Sequence, residues 1–198
     1  MAHAIAAADD HHRTWTGVSN WKLGFWTFIA SECLFFGTLI STYMVYKGRA
    51  VVGPYPEDIF NILLTTTSTT ILLFSSLAMV LALDAVNRAR KGLAIFWLGM
   101  VMLMGLAFIG IELYEYMHFI HEGLTVTSST FGSSYYVVTG THKLHVLVGV
   151  IWMGTLAWLI HKDRIPPEKS EQVEVAGLYW HFVDVIWIVI FTLVYLIS

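Results

Sequence analysis

The stretch LAIFWLGMVMLMGLAFIGI, from Leu93 to Ile111, decides the fold of this chain because it contains no charged residue. A helix gains about 1.5 Å per residue, so about 20 apolar residues cross the hydrocarbon core of a bilayer. This stretch has nearly that length. It therefore predicts a transmembrane helix with lipid as its solvent.

The 198 residues contain four further apolar stretches of similar length. Only 13% of the residues are charged, against about 25% in soluble domains. The four stretches are Leu23–Tyr46, Ile59–Ala85, Tyr135–Ile160 and Val175–Ile197. We therefore predict an all-α integral membrane bundle of five transmembrane helices in residues 21–198, preceded by a polar, flexible tail in residues 1–20.

The basic residues predict the direction in which the chain crosses the membrane. Five spans place eight Lys and Arg residues on the side of the N-terminus and three on the other side. Because basic loops favour the cytoplasm, we predict a cytoplasmic N-terminus and a periplasmic or extracellular C-terminus. The single cysteine, Cys33, excludes an intrachain disulfide and does not support a cysteine-based metal site.

Small and hydroxyl-bearing residues in the spans favour close helix packing. The run TTTSTT, Thr65–Thr70, can hydrogen-bond its own helix or a neighbouring one. Several glycines offer smooth helix surfaces: Gly99, Gly105, Gly110, Gly149 and Gly154. Tryptophans near the span ends indicate an interfacial belt: Trp15, Trp21, Trp158 and Trp180.

The connections also carry signals for the helix ends. Asp58 can cap the second span, and the short turn Asn87–Gly92 forces the second and third spans to be antiparallel neighbours. Gly92 suits a helix C-terminus. Arg88, Arg90 and Lys91 in this turn lie on the predicted cytoplasmic side, where basic residues attract anionic headgroups. We therefore expect these three residues to contact phospholipid.

Glu32 is the ionisable residue near the middle of the first span, ten residues after Lys22. Ten residues correspond to about 15 Å of helix. A charged carboxylate at this depth is costly, so we expect this group to be neutral or hydrogen-bonded to another helix. A proton relay, or a contact with lipid or a gas channel, is the alternative interpretation.

Glu112, Glu115 and His118 follow the third span, and the two glutamates share one helix face because they are three residues apart. We expect all three residues at the outer interface, as a polar rim. A carboxylate metal site in a helix bundle uses a Glu-x-x-His pair from each of two helices, whereas Glu115 and His118 supply only one pair. The sequence therefore does not favour a metal here.

His142 and His145 in the fourth span have the same spacing as His181 and Asp184 in the fifth. Two imidazoles can bind a metal or heme, but such a site needs further ligands. The span bounds place the first pair in the outer half of the membrane and the second pair at the inner face. We therefore favour contacts with helices or lipid headgroups for all four, and predict no catalytic, metal-binding or cofactor-binding residue.

Four long motifs contain most of these polar residues: LGFWTFIASECLFFGTL (Leu23–Leu39), FIGIELYEYMHFIHEG (Phe108–Gly123), TSSTFGSSYYVVTGTHKLHVLVG (Thr127–Gly149) and LYWHFVDVIWIVIFTLVYL (Leu178–Leu196). In this order they resemble subunit III of the heme-copper terminal oxidases, in the short bacterial form of cytochrome c and quinol oxidases. The resemblance covers most of the chain. By it, Glu32 matches the acid of the family's first shared helix, and the His and Asp pairs match the GTHGLH and WHFVDVVW signatures.

The resemblance implies an accessory subunit, without heme or copper of its own, in a complex that reduces oxygen to water and moves protons across the bacterial cytoplasmic membrane. The implied partners are catalytic subunit I, subunit II and phospholipid held in a cleft; heme and copper belong to the partner subunits, and no nucleic acid is involved. It also implies a role in proton uptake at the cytoplasmic face. Four residues of the tail can exchange protons there, although a solvated tail is the favoured interpretation: Asp9, Asp10, His11 and His12.

The chain departs from the family in two respects. Lys143 stands where the family commonly has glycine, and we expect its side chain to extend outward to the membrane surface. Long-form subunits have two additional spans, so the lipid cleft is expected to be more open here or closed by another subunit.

The alternatives to a cytochrome c oxidase subunit are subunit III of a quinol oxidase, a nitric oxide reductase accessory protein, or an independent transporter with Glu32 as its coupling acid.

Overall fold

The computed structural model describes residues 19–47, 61–166 and 169–197, which are predominantly helical. Among them, five helices are long and apolar enough to cross a membrane, which confirms the predicted all-α bundle. In chain order they are α1 (Asn20–Tyr46), α2 (Ile62–Asn87), α3 (Lys91–His121), α4 (Thr130–His161) and α5 (Glu171–Ile190), and the chain continues from α5 as a π-helical segment, Phe191–Leu196. The direction of crossing stays a prediction, and residues 1–18 of the tail lie outside the described residues.

The helices extend beyond the apolar stretches that predicted them. Helix α3 continues to His121, past the predicted end at Ile111, and α4 begins at Thr130 rather than at Tyr135. Hydropathy marks the part of a helix that suits lipid, whereas the backbone hydrogen bonds of a helix do not depend on hydropathy and continue into the polar residues at its ends. The ionisable residues of α3, α4 and α5 therefore lie further inside their helices than the spans indicated.

The turn between α2 and α3 does not use its glycine as predicted. Ala89 adopts a left-handed backbone conformation with φ of 55°, and the Arg90 N–H then reaches the Ala85 carbonyl at 2.8 Å. Gly92 lies in the first turn of α3 instead, so the prediction for it was wrong. The Cβ of alanine makes this conformation cost about 1 kcal/mol, which the hydrogen bond from Arg90 to the Ala85 carbonyl helps to offset.

The N-terminus of α2 is capped by Asn61. Its side-chain oxygen accepts a hydrogen bond from the Leu64 N–H at 3.2 Å, which satisfies one of the free donors at a helix start. The predicted cap, Asp58, lies outside the described residues. The cap fixes the start of α2 at Ile62, three residues before Thr65, which belongs to the site described below.

The chain divides into two compact units, residues 1–37 and residues 38–198, with the boundary inside α1. In the second unit, α2 packs against α3 and α5, and α4 packs against the same two helices. These four helices therefore form a closed ring around one interior. In the described part of the first unit, large apolar side chains such as Trp21 and Leu34 are exposed.

The hydroxyl run Thr65–Thr70 divides between the inside and the outside of the ring. Thr65, Ser68 and Thr69 are buried, and Thr69 Oγ1 accepts a hydrogen bond from Trp187 Nε1 at 2.9 Å. The exposed threonines donate to carbonyls one turn earlier in α2. Both kinds of contact were predicted and are confirmed.

Trp180 is fully buried rather than part of an interfacial belt. Its ring lies so close to two glycines that a Cβ would be 2.7 Å from the ring at Gly149 and 2.8 Å at Gly105. We call Trp180, Gly105 and Gly149 the tryptophan socket, and they confirm close helix approach at these two glycines. At Gly99 and Gly110 no atom of another described element lies within 4 Å of a Cβ position, so close approach there stays a prediction.

Candidate functional site

The interior of the ring contains an ion pair between α3 and α4. Lys143 Nζ lies 3.4 Å from Glu112 Oε2, and the two side chains are 7% and 1% exposed. The ammonium group also lies 3.0 Å from the centre of the Tyr116 ring, where the π electrons stabilise a cation. The expectation that Lys143 extends outward is therefore wrong, because an opposite charge and an aromatic face attract it inward.

Glu115, one turn further along α3, connects to two more helical segments. Its Oε1 lies 2.8 Å from Thr65 Oγ1 in α2, and its Oε2 accepts a hydrogen bond of 2.9 Å from the Tyr195 hydroxyl. The Tyr195 hydroxyl lies 2.7 Å from the hydroxyl of Tyr135 in α4. One carboxyl group thus links α2, α3 and the π-helical segment, and through Tyr195 it reaches α4.

Ser68 joins Glu112 to this network, because its hydroxyl lies 3.1 Å from Glu112 Oε1 and 2.9 Å from the Thr65 carbonyl. We call the connected groups the polar cluster: Thr65, Ser68, Glu112, Glu115, Tyr135, Lys143 and Tyr195. All seven side chains are buried. The exposed polar rim predicted for Glu112 and Glu115 is therefore wrong, whereas His118, nearer the end of α3, is exposed. The helix face that carries both glutamates is turned towards hydroxyl groups in the interior, which compensate for the loss of water.

His142, the neighbour of Lys143 in the chain, is also fully buried. Its imidazole stacks on Trp187, with ring centres 4.9 Å apart and planes at 24°, and Phe108 meets it edge-on at 5.9 Å. His145 donates from Nδ1 to the Thr141 carbonyl at 2.8 Å. The structure therefore places the two histidines against aromatic and backbone neighbours.

The two polar pairs of α4 and α5 lie closer in depth than predicted. His142 is 12 residues from the start of α4, and Asp184 is 13 residues from the start of α5, so each lies about 20 Å into its helix. His142 contacts Trp187, three residues beyond Asp184. The expectation that His181 and Asp184 lie at the inner face was wrong, because the helix begins before the apolar stretch does.

His181 contacts α2 rather than a second ionisable ligand. Its Nδ1 lies 2.6 Å from the Ser76 hydroxyl, and the side chain is partly buried. Asp184 is 3% exposed, and the Ser76 hydroxyl influences its carboxyl group as well. Ser76 of α2 is therefore a shared neighbour of His181 and Asp184.

Within residues 19–47, 61–166 and 169–197, no three His, Cys, Asp or Glu side chains form a group that could hold a metal ion. Cys33 in α1 is exposed, and Glu32 in the same helix is partly buried. The polar cluster has the chemistry of charge and proton storage: two carboxyl groups, one ammonium and several hydroxyls.

The basic turn between α2 and α3 is partly neutralised by acidic residues. Arg88 Nε lies 2.9 Å from Asp84 Oδ1, and Lys91 Nζ lies 2.7 Å from Asp163 Oδ1. Arg90 is exposed, and its side chain forms no capping hydrogen bond to α3. A cavity of about 250 Å³ lies beside the turn and is lined mainly by apolar side chains, with the Lys91–Asp163 pair at its edge.

The partners of the glutamates were missed by the sequence reasoning, although a signal for them exists. When a short turn joins antiparallel helices, residues equally far from the turn face each other. Thr65 and Glu115 are each 25 residues from Arg90, and Ser68 and Glu112 are each 22 residues from it. The predicted antiparallel pair of helices therefore already contained the register that joins these two pairs of side chains.

Residues 4–198 match the family model of cytochrome c oxidase subunit III. Quinol oxidase subunit 3 of Bacillus subtilis (strain 168) is 35% identical over 196 residues, which cover 99% of this chain and 96% of that protein. Cytochrome c oxidase subunit 3 of Bacillus sp. (strain PS3) is 36% identical over 197 residues, covering 100% of this chain and 95% of that protein. Cytochrome bo(3) ubiquinol oxidase subunit 3 of Pseudomonas aeruginosa is 36% identical over 198 residues, with 100% and 95% covered. These similarities do not favour an independent transporter, and the chain belongs to the cytochrome c oxidase subunit III family of the heme-copper oxidases.

Proposed function

We propose that this chain is the non-redox subunit III of a proton-pumping heme-copper oxidase in the cytoplasmic membrane of a bacterium. Its similarity to subunit 3 of bacterial oxidases over nearly the full length of both proteins carries the proposal. In that complex the chain packs beside catalytic subunit I, with subunit II in the same assembly, and the partners hold heme and copper. The polar cluster fits a supporting role, because its charged groups bind one another and hold four helices together.

Purification of the tagged chain in a mild detergent tests this proposal. We expect it to co-purify with heme-bearing subunits, which an optical spectrum detects and mass spectrometry identifies. An unrelated tagged membrane protein from the same cells serves as the control for non-specific heme. A folded chain that purifies alone, without heme-bearing partners, would contradict the proposal.

Cytochrome c is our proposed source of electrons for the complex, with quinol as the alternative. The family model is that of cytochrome c oxidase subunit III, and relatives of both kinds have similar identity, at 36% and 35%. The donor reacts with the partner subunits, so only the whole complex can answer the question. We expect the purified complex to oxidise reduced cytochrome c faster than ubiquinol; the opposite ratio would make it a quinol oxidase.

Phospholipid is the ligand that we propose for the basic turn and the cavity beside it. The cavity offers an apolar lining for an acyl chain, and Lys91 stands at its edge. Because Arg88 and Lys91 already contact acidic residues, Arg90 should contribute most of the attraction to an anionic headgroup. Glutamine at all three positions should reduce the phospholipid that co-purifies, and R90Q alone should reduce it more than R88Q. An unchanged lipid content in the triple variant would contradict this proposal.

The acidic and histidine residues of the tail are a proposed surface for proton uptake. Asp9, Asp10, His11 and His12 lie together in the chain on the predicted cytoplasmic side. Deletion of residues 1–13 should lower the rate of proton uptake by the assembled oxidase while leaving its heme spectrum unchanged. Normal turnover and proton pumping after the deletion would show that the tail is not the surface for proton uptake.

A further inference from the structure

The charges of the polar cluster do not balance if every group is ionised. Glu112 and Glu115 would supply two negative charges and Lys143 one positive charge, and all three side chains are buried. An uncompensated charge in a dry interior is strongly unfavourable. One added proton removes the excess charge. We propose that the polar cluster stores this proton, and that Glu115 holds it as a neutral carboxylic acid beside the Glu112–Lys143 ion pair.

The position of Lys143 selects the carboxyl group that stays ionised. Its ammonium group lies 3.4 Å from Glu112 Oε2 and over the Tyr116 ring. An ammonium at this distance favours the charged form of the nearer carboxylate. Glu112 therefore keeps its negative charge, and the proton belongs to Glu115.

The hydroxyl group of Thr65 is compatible with the same assignment. It has a single proton, but its Oγ1 lies 2.8 Å from Glu115 Oε1 and 3.1 Å from the Asn61 carbonyl. Both oxygens need a proton from this hydroxyl if Glu115 is ionised, and it can serve only one of them. A proton on Glu115 Oε1 satisfies both contacts, because the carboxyl donates to Thr65 and Thr65 donates to Asn61. The Ser68 hydroxyl lies in the same way between Glu112 Oε1 at 3.1 Å and the Thr65 carbonyl at 2.9 Å. The contact with Lys143, rather than the hydroxyl groups, therefore selects between the two acids.

The other groups around Glu115 are compatible with a neutral acid. Its second oxygen accepts from Tyr195, whose hydroxyl contacts that of Tyr135. Helix α2 contributes only hydroxyl groups to the cluster. His118 in α3 is exposed, and His142 in α4 stacks on an aromatic ring. Lys143 is thus the cation that the described contacts place in the cluster, and it balances one carboxylate.

Infrared difference spectroscopy of the purified protein, wild type against variant, tests the proposal. A protonated carboxyl group has a carbonyl stretching band that a carboxylate lacks, and labelling with ¹³C-glutamate identifies it. E115Q should remove one such band. If no labelled carboxylic acid band differs between wild type and E115Q, the proposal is overturned.

A matched pair of hydroxyl variants locates the proton without removing either acid. T65V removes the hydroxyl partner of Glu115, and S68A removes that of Glu112. We expect T65V to shift the carboxylic acid band and S68A to leave it in place. A shift in S68A alone would move the proton to Glu112 and overturn the assignment. This pair also answers the question if E115Q fails to fold.

Lys143 provides the last arm of the experiment. K143M removes the ammonium, so Glu112 should take up a proton and add a second carboxylic acid band. If folded K143M shows no additional band, the Lys143 ammonium does not keep Glu112 ionised. That result would overturn the proposed ion pair. The spectra need no turnover, so their outcome is independent of whether the chain serves an oxidase.

Discussion

The polar cluster and the tryptophan socket lie in the same ring of helices but hold it together by different means. In the cluster, Glu115 connects α2, α3 and the π-helical segment through hydrogen bonds of 2.8 and 2.9 Å. In the socket, the missing side chains of Gly105 and Gly149 let helices approach the Trp180 ring. Lipid offers no hydrophobic drive for helices to associate, so specific contacts must come from polarity or from close packing. This ring uses both.

The difference teaches what each region should tolerate. A polar cluster fails when one partner is removed and the other is left buried with an unmatched charge. A packed socket fails when an atom is added, because close-packed interiors resist extra volume. The Trp180 indole also donates to Ser75 Oγ at 2.9 Å, so its position is fixed and it cannot move far to make room.

The largest expected effect is the loss of Glu112. E112Q leaves the Lys143 ammonium buried without its partner, which we expect to lower the free energy of unfolding by about 3 kcal/mol. This loss is at the lower end of the range for a broken buried ion pair, because Glu115 can release its stored proton and replace the lost carboxylate. Denaturation of this chain in the co-purified complex, in mixed detergent micelles, measures the change.

The double variant E112L/K143L is the control for that prediction. It replaces both charges with apolar groups of similar size, and such replacements are often neutral or stabilising. We expect its free energy of unfolding to exceed that of E112Q by about 2 kcal/mol or more. Equal losses in the two variants would mean that packing, rather than charge, governs this region.

A smaller effect is expected in the socket. G149A places a methyl group 2.7 Å from the Trp180 ring, so it should destabilise the chain by about 1–3 kcal/mol. G110A is the matched control, since no other described element lies within 4 Å of that position, and alanine favours a helix. In thermal denaturation, G149A should have a lower midpoint temperature than the wild type, and G110A should not. Similar midpoints for the two variants would show that the socket is not tightly packed.

The smallest effect is expected for a surface ion pair. Arg88 and Asp84 are 2.9 Å apart, with side chains 61% and 51% exposed. R88Q should change the stability by no more than about 0.5 kcal/mol, because water screens exposed pairs. The same denaturation assay gives a direct comparison with E112Q. A loss as large as that of E112Q would contradict the view that burial makes the Glu112–Lys143 pair important.

Part of the site followed from the sequence and part did not. The short turn and the two long spans predicted that α2 and α3 are antiparallel neighbours. Because Thr65 and Glu115 are equally far from Arg90, their contact could also have been predicted from this arrangement. The depth of Asp184 in the bundle could not be predicted from the sequence, because an apolar stretch marks the part of a helix that suits lipid and not the residue at which the helix begins. The inward direction of Lys143 did not follow either, since Glu112 belongs to a different helix.

The sequence by itself determined that this protein is a bundle of five membrane helices, because length and hydropathy are properties of each segment alone. Its motifs also indicated the family. Only the tertiary structure decided which polar residues face the interior. In a soluble protein an apolar stripe marks the buried side of a helix, but in lipid both sides are apolar. The sides of α3 and α4 that carry Glu112, Glu115 and Lys143 are therefore identified by the hydroxyl groups and the opposite charge that neighbouring helices bring to them.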